Sequence, residues 1–161
     1  EQDGASFAPD APFDVAMCVG ASWIWSGYAG TLDALASFVR PGSLIALGEP
    51  YWKTEPHPDY LRTEKLERDT FLTLDGLHDH ATAHGFKLVW MSGSGLADWD
   101  AYEMRQALAL DRWERDNPEH PDRDRIRRQR DAADAAYLRW GRDTLGFAMW
   151  VFRTPDQATG A

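Results

Sequence analysis

The sequence is poor in cysteine, in basic residues and in long apolar runs, and each shortage excludes something. Cys18 is the only cysteine among 161 residues, so an intrachain disulfide and a cysteine-based zinc site are both ruled out. A lone thiol fits a reducing compartment, and a cytoplasmic location is the expectation. No apolar run approaches the ~20 residues of a membrane-spanning helix; the longest, such as 15–19 and 44–47, have the length of strands. No charged-then-apolar leader is visible, so no signal peptide is expected. Lys and Arg number 17 against 26 Asp and Glu, a formal charge of −9. The first 80 residues hold 13 acids and 5 bases, the remainder 13 acids and 12 bases. With no basic face to offer a polyanion, nucleic acid is not an expected partner.

Apolar residues make up 43% of the chain and aromatics 12%. That is enough for a packed core and too much for a disordered segment. Phe13-Asp14-Val15-Ala16-Met17-Cys18-Val19-Gly20 reads as a strand. Its later residues are continuously apolar, the pattern of a strand covered on both faces. Leu32, Leu35, Ala36 and Val39 share one face of a helix over 31–39, which Arg40-Pro41-Gly42 should stop. A second buried strand is expected at 43–48 and a long loop, with Pro50, Pro56 and Pro58, at 49–69. Thr73 can cap a helix that Gly85 ends, and 86–91 is a third strand. Two amphipathic helices follow, over 99–117 and 122–140, before a last strand at 145–152. Strands joined by helices favour parallel pairing, so the fold class is α/β.

In open α/β sheets ligands sit beyond the carboxyl ends of the strands. Two such ends stand out, Gly20-Ala21-Ser22-Trp23-Ile24-Trp25 and Gly48-Glu49-Pro50-Tyr51-Trp52. Small residues let a ligand approach the backbone, and aromatics can wall it from water. Glu49 is the one carboxylate at the end of an apolar strand; the plain alternative is that it binds a loop amide and the aromatics only cover the sheet edge. Other features read as ordinary structure. Gly93-Ser94-Gly95 begins like a dinucleotide loop, but Asp98 stands where a third glycine belongs, so a turn is expected. His78, His80 and His84 fall on one helix without a third metal ligand in view and read as a polar face. The charged run at 122–130 interleaves acids with its arginines and reads as a solvated helix face, and Cys18 as buried and inert.

Phe13-Asp14-Val15-Ala16, a helix, and then Arg40-Pro41-Gly42-Ser43-Leu44-Ile45 resemble the middle of a class I S-adenosylmethionine-dependent methyltransferase. That family commonly shows Phe-Asp at a strand start and Leu-Lys-Pro-Gly-Gly before the next. Arg40 stands for the Lys and Ser43 for the second Gly. His84-Gly85-Phe86 is similar to the family's entry to its sixth strand. The ending from Arg139-Trp140-Gly141-Arg142-Asp143 through Phe147 is similar to a bacterial small-molecule subgroup.

The resemblance implies a partial Rossmann-like sheet of family strands 4, 5, 6 and 7, the last antiparallel, with a two-helix insert before it. Residues 1–161 would then be a single incomplete domain, 99–141 its helical cap, and the family's Gly-rich first motif is not in the sequence. The implied cofactor is S-adenosylmethionine, with Gly20, Ala21 and Ser22 at its methionine end and Asp3 at its adenine. Trp23, Trp25, Tyr51 and Trp52 would wall the pocket of a small-molecule acceptor, and Glu49 would be base or anchor. The parent would be a methyltransferase, and the fragment is expected to be inactive alone. Its first strand would pair with itself or with the missing first half. The alternative is a non-catalytic α/β interaction module.

Overall fold

The computed structural model describes residues 2–156. Four strands form one sheet in the order β1-β2-β4-β3: β1 (Phe13–Val19), β2 (Val39–Trp52), β3 (Lys87–Gly93) and β4 (Leu145–Arg153). β1 and β2 are parallel, and β3 and β4 antiparallel. Thr154 N donates to Ser43 O and Lys53 N to Thr144 O, so β4 also runs antiparallel to β2. The last strand is thus inserted against the direction of its neighbours, as the resemblance implies. The chain divides into two compact units, a sheet unit (residues 2–51, 71–93 and 146–156) and a helical unit (52–70 and 94–145).

In the sheet unit, α1 (Tyr28–Ser37) and α3 (Leu74–Ala83) supply Leu32, Leu35, Leu77 and Ala81 to a core. Facing them are Ala16 and Cys18 of β1, Ile45 and Leu47 of β2, and Ala148, Trp150 and Phe152 of β4. The α3 cap forms as its residues dictate: Thr73 Oγ1 accepts from Gly76 N at 3.2 Å, and Asp75 sits in the first turn. Gly85 takes φ +82° just beyond the helix, where a Cβ would also lie 3.2 Å from Pro155.

Two expectations change. β1 is covered on one face only: Val15, Met17 and Val19 are 56%, 66% and 48% exposed, beside Leu44, Ala46 and Gly48 of β2. Phe147 and Met149 lie on the same face. Its continuous apolar pattern therefore marks a strand made for two covers, of which the sheet unit provides one. β2 begins early, at Val39, and ends late, at Trp52. Phe13 pairs with Val39 but Val15 with Leu44, so residues 40–43 bulge opposite Asp14, which Arg40 engages. Arg40-Pro41-Gly42 is a bulge within the strand rather than a stop before it.

The helical unit contains α2 (Pro58–Glu64), α4 (Leu96–Asp116) and α5 (Arg123–Ala136), then a π-helical turn over Tyr137–Gly141. Gly95 opens α4, its N–H donating to Asp98 Oδ2 at 2.8 Å, so Gly93-Ser94-Gly95 is a helix start. Three arginines of α5 are tied to acids: Arg125 to Asp122, Arg127 to Glu114 and Arg130 to Asp134. Asp100 is held by both Nε and Nη2 of Arg142, at 2.8 and 2.9 Å, and by the Tyr137 hydroxyl at 2.8 Å. No helix among the described residues is long and apolar enough to cross a membrane.

Gly85→Ala places a side chain in the left-handed region and is expected to lower stability by about 1–2 kcal/mol, measured by urea unfolding. The Arg142 and Tyr137 hydrogen bonds pull the Asp100 carboxyl down to about 2. Because its folded value lies below its unfolded one, the stabilisation is full above the ordinary aspartate range and fades as pH falls toward 2. Carboxyl NMR titration should give that low midpoint and move it upward in Arg142→Gln; an unchanged midpoint would refute the assignment.

Candidate functional site

The parallel register of β1 and β2 brings their carboxyl ends side by side. Gly20 N donates to Gly48 O at 2.9 Å, extending the ladder one residue past β1. Gly20 then turns at φ +61°, and a Cβ there would meet nothing within 4 Å. The backbone is thus open to a ligand where the strand ends. Ala21 precedes a 3₁₀ turn over Ser22–Trp25, closed by Gly27 N donating to Ser22 O at 2.9 Å. Thr31, fully buried, locks the turn to α1: its hydroxyl lies 2.9 Å from Gly27 O and 3.3 Å from Ser22 O.

Glu49 continues the inward-facing row of Ile45 and Leu47 and is only 4% exposed. The Ser22 hydroxyl donates to its Oε1 at 2.8 Å. Burial pushes the Glu49 carboxyl above the ordinary carboxylate range, against the lowering effect of that hydrogen bond. The Cys18 thiol and the Tyr28 phenol are also pushed up, first by burial and further by Glu49. Tyr28 donates its hydroxyl to Leu77 O at 2.9 Å, which fixes its ring in the core.

The other expected residues occupy several places. Asp3 caps a short turn by accepting from Ala5 N at 3.1 Å, and this turn packs on the Ser22–Trp25 turn, with Gly4 against Ile24. Trp23 is 76% exposed. Trp25 meets Phe38 edge-on at 6.2 Å and lines a groove of about 370 Å³ beside β1, with Phe7, Phe13, Val15 and Met17. Tyr51 lies across Gly146, whose missing side chain makes room for the ring. Trp52 belongs to the helical unit: it is 1% exposed, its indole N–H donates to Arg68 O at 2.9 Å, and its ring meets Tyr60.

The structure therefore joins Gly20, Ala21, Ser22 and Glu49 directly and brings the Asp3 turn against them. It sends Trp25 toward the β1 groove and Trp52 into a core. Thr31 and Tyr28 join the site's support without a motif to mark them; the visible signal is Thr31 four residues after Gly27, the spacing of a side chain that bonds back to the preceding turn. His80 and His84 stack at 4.4 Å on α3, and among the described residues no group of three His, Cys, Asp or Glu is arranged to hold a metal ion.

No family model matches the sequence. The chain is 33% identical to an S-adenosylmethionine-dependent methyltransferase from Geobacter sulfurreducens, solved in complex with S-adenosylhomocysteine. The superposition has a TM-score of 0.85 and covers 94% of this chain and 61% of that one. A Thiobacillus denitrificans methyltransferase, solved with the same ligand, is 32% identical at a TM-score of 0.85, over 94% of this chain and 62% of its own. The protein YjhP of Escherichia coli (strain K12) is 32% identical over 151 residues, 92% of this chain and 61% of that protein. The chain thus spans about three fifths of the length of the relatives it matches. With the strand order and the antiparallel β4 already described, these likenesses show that the chain has the fold of class I S-adenosylmethionine-dependent methyltransferases over part of the length of those relatives.

Proposed function

We propose that the protein to which this chain belongs transfers a methyl group from S-adenosylmethionine to a small-molecule acceptor, in the cytoplasm, and that this chain supplies the carboxyl-terminal portion of the enzyme. The observation that carries the reading is the likeness, at 33% and 32% identity over 94% of the chain, to two methyltransferases solved with S-adenosylhomocysteine. The open backbone at Gly20 and the small side chains of Ala21 and Ser22 suit the approach of a ligand. S-adenosylmethionine supplies, when bound, an electrophilic methyl group on a sulfonium.

The chain's own residues contribute position and environment. In this reading Gly20, Ala21 and Ser22 line the methionine end of the cofactor, and Asp3, one turn away, its adenine. Trp23 and Tyr51 form aromatic surroundings of the acceptor, where ring faces also favour a cationic sulfonium, while Trp25 and Trp52, packed elsewhere, take no part in the pocket. Glu49, raised by burial, is the group able to accept a proton from the acceptor or to anchor it.

The same reading explains β1. Among the described strands it pairs only with β2, so its outer edge leaves backbone groups free. Val15, Met17 and Val19 leave its outer face apolar as well. A polypeptide segment corresponding to the remaining two fifths of the relatives would pair with that edge and cover that face, making the 161 residues one incomplete domain with residues 99–141 as its cap. Alone, the chain would be inactive.

Calorimetry with S-adenosylmethionine, on this chain and on a longer polypeptide supplying the remaining length of the relatives, tests the function. Binding by the longer form alone is expected; binding by neither favours the interaction module. Without its partner segment the chain should self-associate at high concentration through β1, and Met17→Lys should reduce this, as read by analytical ultracentrifugation. A stable monomer whose outward β1 amides resist hydrogen exchange would refute the edge assignment.

A further inference from the structure

The Ser22–Trp25 turn enters α1 through two residues of positive φ, Ser26 at +62° and Gly27 at +105°. Gly27, the N-cap, has no side chain with which to cap the helix. The turn is held instead by two neighbours in the first turns of α1. Gly30 is one of them. A Cβ there would run into Trp25 O, so the turn can lie directly on the helix because that side chain is missing. Glycine weakens a helix relative to alanine, and the close approach is what this one permits.

Thr31 is the other. Its hydroxyl shares one proton between Gly27 O at 2.9 Å and Ser22 O at 3.3 Å. The bond to Gly27 is the usual one of a helical threonine to the residue four before it. The bond to Ser22 reaches out of the helix. Ser22 O also accepts from Gly27 N at 2.9 Å, so two donors from the start of α1 meet on the Ser22 carbonyl. The side chain of the same residue faces the sheet, its hydroxyl donating to Glu49 Oε1 at 2.8 Å. Ser22 therefore bridges α1 to β2, through its backbone on one side and its side chain on the other. A swing of the turn would misalign the bond to Glu49, and hydrogen bonds weaken steeply with misalignment.

We propose that Gly30 and Thr31 are positioning residues, which hold the Ser22–Trp25 turn so that the Ser22 hydroxyl is set on Glu49 before a ligand reaches the ends of β1 and β2. That the ligand is a methyl donor rests on the transferase reading; the coupling of α1 to Glu49 does not. The turn is ordered when the chain folds, so binding need not supply that order. Neither residue touches the ligand: both act through the backbone of the turn.

The test follows the Glu49 carboxyl through a pH titration by carbon-13 NMR. The Ser22 hydrogen bond lowers its midpoint against the effect of burial. Cys18 of β1 and Tyr28 of α1 sense the Glu49 charge, but both are pushed up and stay neutral while the carboxyl titrates. Thr31→Val keeps the shape and removes the hydroxyl, and it should move the midpoint upward; Thr31→Ser should restore it. Ser22→Ala should move the midpoint upward directly, and Thr31→Val added to it should change nothing more. Gly30→Ala should also raise the midpoint, although alanine favours a helix. A residue that only stabilised α1 would alter unfolding and leave Glu49 where it was. An unchanged midpoint in a folded Thr31→Val, or an equal further rise in the Ser22→Ala background, overturns the proposal; Gly30→Ala decides in the same way if Thr31→Val does not fold. On whichever polypeptide binds S-adenosylhomocysteine, Thr31→Val should weaken that binding about tenfold and Thr31→Ser should not. Undiminished affinity in Thr31→Val overturns the claim that the hold serves the ligand. Absence of binding by any polypeptide sinks the transferase reading and leaves the titration result standing.

Discussion

The parallel pairing of β1 with β2 is the constraint on which the remainder rests. Because the two strands run the same way, both carboxyl ends reach the same edge of the sheet, and Gly20 can bond to Gly48. An antiparallel pair would have set Ser22 and Glu49 at opposite ends. The pairing also aligns Val15, Met17 and Val19 with Leu44, Ala46 and Gly48, so one register decides both what is buried and what is left open. A slip of one residue would exchange those faces. It would bring Val15 and Met17 inward in place of Ala16 and Cys18, against the large core side chains Leu32 and Leu35.

β4 closes the other side of this arrangement. Its inward row of Gly146, Ala148, Trp150 and Phe152 grades from no side chain to large aromatics. The small end lies beside the ligand edge, where Tyr51 fills the space over Gly146, and the large end lies beneath α3, where Phe152 meets Phe86. A large residue in place of Gly146 would collide with the Tyr51 ring. The taper keeps the core dense at one end and admits Tyr51 at the other.

Much of this order was legible in the sequence. Phe13-Asp14, Thr73, Gly85 and the apolar runs announced three strands and two helices because each carries a local signal: a strand start, a cap, a left-handed stop. That the ends of β1 and β2 form the ligand edge followed from a topological rule about strand ends; the hydrogen bond from Ser22 to Glu49 did not. What escaped reading was set by partners rather than by local preference. Pro41 and Gly42 favour a turn in isolation, yet the pull of β1 on one side and of Thr154 and Pro155 on the other draws them into a bulged strand. The open face of β1 was invisible because the composition of a strand records the covers it is made for, not those a given stretch of chain supplies. Trp52 looks like Trp23 and Trp25 in the sequence; only Arg68 and Tyr60, brought back by α2, show that its ring is structural.

The two units are held by different physics, and that difference bears on where chemistry can sit. The sheet unit is consolidated by apolar burial, and within it Glu49 is the buried carboxylate, held by a single hydroxyl. In the helical unit Asp100, Tyr137 and Arg142 meet at the π-helical turn, and Arg125, Arg127 and Arg130 of α5 are answered by acids, beside buried Trp52, Tyr60, Ala107 and Ala136. The same unit also holds Glu64 and Glu103, whose carboxyls burial pushes up, that of Glu103 further by the neighbouring Glu64 charge. In the sheet unit Glu49 stands nearer to this second case: burial raises its carboxyl, and the Ser22 hydroxyl is the group that opposes the shift.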